Sequence, residues 1–283
     1  MTVHDSLRAL LEWYREAGIE EATADVPIDR YAAAESAPVR TAPARPPMPP
    51  PAEARPAPAV AAVRSAAAPP DTAEGVIRTA VKLAEAARSV AELRDAVAAF
   101  EGCPLRKTAT NLVFADGAPD AKVIFIGEAP GAEEDRQGVP FVGPSGRLLD
   151  RMLTSIDLDR TEIMISNTVF WRPPGNRSPT TIEVATCAPF VEKLIELVNP
   201  RILVALGGPS AKSLLGQTMG IGRLRGKWFA YSTPRMARPI DAAAMFHPAY
   251  LLRSPLQKRE AWRDLLALRD RLDVPSEPTK AET

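Results

Sequence analysis

The chain alternates short, continuous apolar runs with longer stretches whose apolar residues recur at helical spacing. Residues 123–126 (Val-Ile-Phe-Ile), 162–169 (EIMISNTV) and 202–206 (ILVAL) have the length and composition of strands buried on both faces; 242–246 is a weaker fourth. A short strand is also expected at 112–114, before an Asp116-Gly117 turn. Between these runs the spacing predicts helices from about Arg147, over 180–198, over 209–215 and over 256–272, with 249–253 as a loop. An alanine-rich stretch, 73–100, reads as one or two helices broken near Ser89, where Ser-Val-Ala-Glu has the capping-box pattern, and 103–110 as a polar connection. Alternating strand and helix predicts a parallel sheet covered on both faces.

The N-terminal quarter follows another pattern. Residues 5–21 place Leu7, Leu10, Leu11 and Tyr14 on one helical face, and the segment is too short to fold reliably alone. From Ala32 to Pro70, 26 of 39 residues are Pro or Ala, a composition that cannot bury a core and predicts an extended, disordered linker. The expected organisation is therefore an amphipathic partner-binding helix (1–22), a Pro/Ala-rich linker (23–72), a catalytic domain (73–275) and a flexible tail (276–283).

Within that domain, residues 124–149 (IFIGEAPGAEEDRQGVPFVGPSGRLL) concentrate the chemistry. Gly127 ends an apolar run, and Pro130 and Gly131 stop either regular structure from continuing. Glu128 is thereby presented at the carboxyl end of a strand, where open α/β sheets bind ligands. Gly143-Pro144-Ser145-Gly146 then precedes a helix start, a backbone able to approach phosphate.

Formal charge is zero over 283 residues, but residues 1–75 carry 7 basic and 11 acidic side chains and the remainder 28 and 24. The mildly cationic remainder permits nucleic-acid contact without requiring it. With only two cysteines, Cys103 and Cys187, a disulfide framework is not indicated and a reducing cytoplasm fits. No apolar run is long enough to span a bilayer, so no membrane association is expected.

Several separated blocks then fall in one order: Gly127-Glu128-Ala129-Pro130-Gly131, Glu134-Asp135, Gly138, Pro140-Phe141-Val142-Gly143, Asn167, Arg172-Pro173-Pro174 with Asn176-Arg177 and Pro179, and His247-Pro248-Ala249-Tyr250-Leu251-Leu252-Arg253. Over about residues 103–272 the chain resembles the family 4 uracil-DNA glycosylases, the bacterial and archaeal branch that normally carries an iron-sulfur cluster. The resemblance implies a three-layer α/β/α sandwich around a four-stranded, mostly parallel sheet. It also implies a monomeric, monofunctional glycosylase that hydrolyses the N-glycosidic bond of uracil in DNA and leaves an abasic site, the first step of base-excision repair.

The site residues follow from that resemblance and from the needs of the reaction. A base inside a duplex must be extruded into a pocket and read there. Phe141 would stack on it, and the Asn167 amide suits the O4 and N3–H edge of uracil while mismatching cytosine. His247 would stabilise negative charge growing on O2 as the bond breaks. The Gly127, Glu128 and Ala129 backbone would line the pocket. Glu128 is the first candidate to orient water or offset positive charge on the sugar, with Glu134 competing; the acidic group Glu133, Glu134 and Asp135 also reads as a solvated helix start. Leu251 and Leu252, on an exposed loop, would fill the vacated stack, with ordinary core packing as the other reading. Ser145, Arg177, Arg253 and the group Arg223, Arg225 and Lys227 are candidates for phosphate contact.

One departure stands out. Of the family's four cluster cysteines only Cys103 and Cys187 match; Arg106 and Trp171 occupy the other two positions. Neither can replace a thiolate, so no cofactor and no metal are expected. Arg106 stacked on the Trp171 indole is the expected filling. Two rival readings are a non-catalytic or trapping uracil-DNA binding module and a generic nucleotide-binding or polymerase-associated α/β domain. Against the first, the loop after Asn167 lacks a basic, histidine-bearing insertion. The second leaves Phe141, Asn167 and His247 unexplained together.

Overall fold

A computed structural model describes residues 73–273. The helix expected at 5–21, the Pro/Ala-rich linker and the tail at 276–283 lie outside the described residues. The domain opens with helices α1 (Ala73–Ala86) and α2 (Val90–Ala99). They separate where the sequence predicts: the Ser89 hydroxyl accepts from the Glu92 N–H at 3.1 Å, and the Glu92 carboxylate accepts from the Arg88 N–H at 2.8 Å. The reciprocal bond of the capping box thus lands one residue early.

Strand β1 (Ala115–Gly117) leads to β2 (Val123–Gly127), helices α3 (Ala132–Gln137) and α4 (Pro144–Thr154), and β3 (Ile163–Asn167). Helix α5 (Thr181–Val198) starts with a full capping box between Thr180 and Glu183. There follow β4 (Ile202–Leu206), α6 (Gly208–Leu215), α7 (Ile221–Leu224), β5 (Trp228–Tyr231), β6 (Ile240–Met245), α8 (Pro248–Arg253) and α9 (Lys258–Asp273).

The sheet has six strands in the order β1-β3-β2-β4-β6-β5. The four strands expected from apolar runs form its parallel centre, and antiparallel β1 and β5 flank them. Strand β1 lies at 115–117 rather than 112–114. The Val113 N–H still donates to the Phe170 carbonyl at 2.9 Å, but the regular ladder pairs Ala115, Asp116 and Gly117 with Ser166, Ile165 and Met164. A Cβ on Gly117, whose φ is +118°, would sit 1.9 Å from the Ile163 carbonyl oxygen, so the glycine read as a turn is what permits this edge to close.

Alternating strand residues face opposite layers, as the pleat requires. Ile124 and Ile126 join one core with α1, α2 and α5 residues such as Ala84, Leu93 and Phe190. Val123 and Phe125 join another with Leu149 and Leu153 of α4 and Leu265 and Leu268 of α9. This is the expected three-layer sandwich. Because β3 lies on one side of β2 and β4 on the other, the chain reverses direction across the sheet at β2, and the switch point lies at its carboxyl end. Among the described residues, no helix is long and apolar enough to cross a membrane.

Candidate active site

A cavity of about 580 Å³ lies at the switch point. Glu128 and Ala129 follow β2, Asn167 ends β3, Leu206 ends β4, and Phe246 and His247 follow β6; all of them line it, together with Phe141, Ser145, Arg177 and Arg253. Residues from sequence blocks more than a hundred positions apart therefore share one wall system.

Two polar atoms in this wall have no protein partner. The Asn167 Oδ1 and Glu128 Oε1 atoms are buried without a hydrogen bond among the described residues. A buried unsatisfied acceptor costs about 1–3 kcal/mol. Both residues line the cavity, and their two unpaired acceptors are a standing cost that a donor-bearing ligand reaching them would remove. Gly127 makes the arrangement possible: it stands opposite Asn167 in the β2–β3 register, and a Cβ there would meet Asn167 Oδ1 at 2.5 Å and the Phe141 ring at 2.6 Å. The backbone of Glu128 is pinned from the next strand, since the Thr168 hydroxyl donates to its carbonyl at 2.7 Å.

His247 caps α8. Its Nδ1 accepts from the Ala249 N–H at 3.1 Å, so the proton of the neutral ring resides on Nε2. Burial pulls its pKa down to about 4, aided by the Arg253 charge and opposed by Glu134. The imidazole is thus neutral at physiological pH, a donor through Nε2 without a charge of its own. Its ring lies against Phe141, centroids 5.5 Å apart.

Glu134 is placed differently from the water-orienting role for which it competed. It is nearly buried, Oε1 accepts from the N–H groups of Val142 (3.0 Å) and Gly143 (2.9 Å), and Oε2 accepts from Gly131 (3.1 Å). Both oxygens are occupied in clasping the two halves of the 128–143 loop. Asp135 is likewise buried and accepts from Thr110 and Asn111, so of the acidic group only Glu133 reads as solvated.

Other expectations need correction. Residues 249–253 form helix α8, because His247 caps its start and Pro248 occupies the first turn. This turns Leu251 fully into the core beside Phe246 and Ala261, leaving Leu252 exposed at 43 %, so the wedge reading fails for Leu251. Arg225 does not await phosphate: it is tied to Asp264 (2.7 and 2.9 Å) and Glu260 (2.9 Å) and lies over the Phe246 ring. Arg177 lines the cavity but is forked onto Glu183, whose carboxyl it holds down at about 2. Ser145 stands in the first turn of α4 and lines the cavity.

Cys103 and Cys187 do come together, fully buried with sulfurs 3.9 Å apart. Arg106 and Trp171 do not stack. Arg106 instead donates to the carbonyls of Phe100 (3.1 Å) and Ala99 (3.4 Å) at the C-terminal end of α2, where the helix dipole favours a cation. Trp171 is buried edge-on against Phe170. Two thiols, a guanidinium engaged with carbonyls and an indole do not supply the donors of a four-iron cluster. No group of three or more His, Cys, Asp or Glu that could hold a metal ion occurs among the described residues.

Residues that the sequence did not single out include Thr168 and Gly207. Gly207 has φ +91°, and a Cβ on it would press to 3.2 Å from the His247 Cβ. The Gly207-Gly208 pair directly after β4 was the available signal. For Glu134 as a clasp, the signal was its position three residues after Gly131, the spacing of a capping residue.

Residues 114–266 match the Uracil DNA glycosylase superfamily. A type-4 uracil-DNA glycosylase of Archaeoglobus fulgidus is 38 % identical over 56 % of this chain and 80 % of its own length. Enzymes of the same description from Sulfurisphaera tokodaii and Thermotoga maritima are 34 % and 39 % identical, over 68 % and 54 % of this chain and 88 % and 77 % of theirs. With its six-stranded switch-point cavity and these relatives, the chain belongs to the uracil DNA glycosylase superfamily, in the company of the type-4 enzymes.

Proposed function

We propose that this chain is a uracil-DNA glycosylase that hydrolyses the bond between uracil and deoxyribose in DNA and leaves an abasic site for base-excision repair. The observation that carries this reading is the pair of unpartnered buried acceptors, Asn167 Oδ1 and Glu128 Oε1, on residues that line one cavity with a neutral His247 and Phe141.

Each group then has a task. Extruded uracil stacks on Phe141, its N3–H donates to Asn167 Oδ1, and the Asn167 amide donates to O4. Cytosine presents an acceptor at N3 and a donor at N4, which would leave both Asn167 groups unpaired. The C1′–N1 electron pair departs with the base. As charge grows on O2, the His247 Nε2–H donates to it, an interaction stronger in the transition state than in the ground state. Neutral imidazole suits this task, because no charge has to be desolvated before the base arrives. Glu128 faces the positive charge developing on the sugar, orients the water that adds at C1′ and takes up the proton that this water releases. Ser145 and Arg253 contact flanking phosphates, and Leu252 alone takes the wedge position.

The residues at the family's cluster position support a glycosylase that works without iron and sulfide. Stoichiometric iron and sulfide in protein purified without oxygen would overturn that. The domain assigned to this work is 73–275, acting as a monomer, with residues 1–22 as a segment for a protein partner.

The function is tested with a uracil-containing oligonucleotide in EDTA, followed by alkali. Multiple-turnover strand cleavage is the expected result. A stable complex without released base would favour a trapping module, and no uracil dependence would reject both.

A further inference from the structure

Phe141 is held in a backbone conformation that a phenylalanine avoids. Its φ is +54°, in the left-handed region that bulky side chains avoid. The cause lies in its surroundings. Gly146 brings the first turn of α4 so close that a Cβ there would stand 1.7 Å from the Phe141 carbonyl oxygen, and Glu134 holds the next two N–H groups.

The third constraint is Arg160, in the turn between α4 and β3. Four of its five N–H groups are engaged. Nε donates to Asp150 of α4 at 2.7 Å, Nη1 to Asp116 of β1 at 2.8 Å and to the Pro140 carbonyl at 3.1 Å, and Nη2 to the Phe141 carbonyl. Arg160 does not line the cavity.

We infer that Arg160 is a positioning residue for the base-stacking ring: its guanidinium ties the Pro140 and Phe141 carbonyls to an edge strand and to α4, and so fixes the Phe141 ring at the pocket. The inference rests on Phe141 being the surface on which uracil stacks. Lysine could not substitute, since one ammonium cannot span two carboxylates and two carbonyls in a planar fork. Released from this anchor, the strained φ has a downhill path to the ordinary regions, and the ring leaves its place.

The test is a double-mutant cycle on uracil release under single-turnover conditions, with Phe141→Ala, Arg160→Ala and the pair, and with thermal unfolding recorded for each. Arg160→Ala is expected to slow release about 10- to 100-fold, the scale of an ångström-level misplacement. Arg160→Lys should recover little, and millimolar guanidinium should recover part. In the Phe141→Ala background the second substitution should change the rate by less than about twofold. Equal losses in both backgrounds, or an Arg160→Ala rate within twofold of the unmutated protein, would overturn the inference. If Arg160→Ala fails to fold, Asp116→Asn and Asp150→Asn enter the same cycle, with the same two outcomes. An unmutated protein that releases no uracil would overturn the proposed function and this inference together; an active one with an additive cycle removes the inference alone.

Discussion

The pocket and the cysteine site solve opposite problems with similar residue types. At the pocket, buried polar atoms stay unpaired: Asn167 Oδ1 and Glu128 Oε1 have no partner, and His247 is stripped of charge. At the cysteine site every group has been given something to do inside the protein. Cys103 meets Cys187, Arg106 caps α2, and Trp171 fills volume against Phe170. The first region leaves polar atoms unsatisfied beside a cavity; in the second each of these side chains is engaged within the protein. Substitutions should therefore act in opposite directions at the two sites.

The largest effect is expected from Asn167→Ala and His247→Ala, each lowering kcat/KM by about 10²-fold or more through loss of a transition-state donor. Because Asn167→Ala also deletes an unsatisfied buried atom, its melting temperature should hold steady or rise. Uracil-release kinetics paired with calorimetry read both. A retained rate removes the assigned role, and a large fall in melting temperature erases the contrast between the two sites.

The pH dependence sharpens the pocket's side. Unfolded His247 takes up a proton near 6.5, whereas the buried ring waits until about 4. Between those values the unfolded chain holds more protons, so stability is full above 6.5 and is lost as pH falls toward 4, by about 3 kcal/mol in all. Protonation also places a proton on Nδ1, which now accepts from Ala249, and opens the start of α8. Uracil release should be level from neutral pH down to about 5 and collapse near 4. Denaturant titrations across pH 4–7 should show a smaller slope in His247→Ala than in the unmutated protein; equal slopes would return the imidazole to an ordinary, solvated pKa.

At the cysteine site, Cys103→Ala should cost about 1–2 kcal/mol of stability, since it opens a cavity beside a fully buried sulfur, and leave uracil release within a few-fold. Urea unfolding together with the oligonucleotide assay measures this. A 10²-fold loss of release with unchanged stability would place the pair in the chemistry after all.

What could be read from sequence divides along physical lines. The parallel centre of the sheet was legible, because residues such as those at 123–126 and 202–206 are apolar on both faces and have no other use. The edge strands were not: Ala115-Asp116-Gly117 and Trp228–Tyr231 owe their state to a neighbour's free hydrogen-bonding groups, which no local pattern records. Asn167, Phe141 and His247, which line the cavity, could be singled out in the sequence because the resembling motifs carry them. The duties of the charged residues were not. Glu134, Arg160 and Arg225 are buried or half-buried, with partners that reach 9, 44 and 39 positions along the chain. Leu251 shows the same limit in apolar form: two adjacent leucines look alike in sequence, and one helical turn sends one inward and the other out.

The smallest expected effect concerns Arg106, and it tests whether the cysteine site was closed by chance or by a compensating interaction. In Arg106→Ala the Phe100 and Ala99 carbonyls at the end of α2 lose a charged donor, and the Glu101 carboxylate loses a neighbour at 3.7 Å. The side chain is 35 % exposed and water can reach part of the vacated place, so the loss should be near the size of a helix-end charge, about 0.3–1 kcal/mol. Restoring a cysteine tests the same point from the other side. Arg106→Cys should lose as much stability as Arg106→Ala, because the carbonyls lose the same donor, whereas an Arg that merely filled space would be replaced at no net cost. Melting temperatures of the two variants, measured side by side under reducing conditions, separate these cases; an Arg106→Cys protein as stable as the unmutated one would mean that the guanidinium contributes nothing to closing the site.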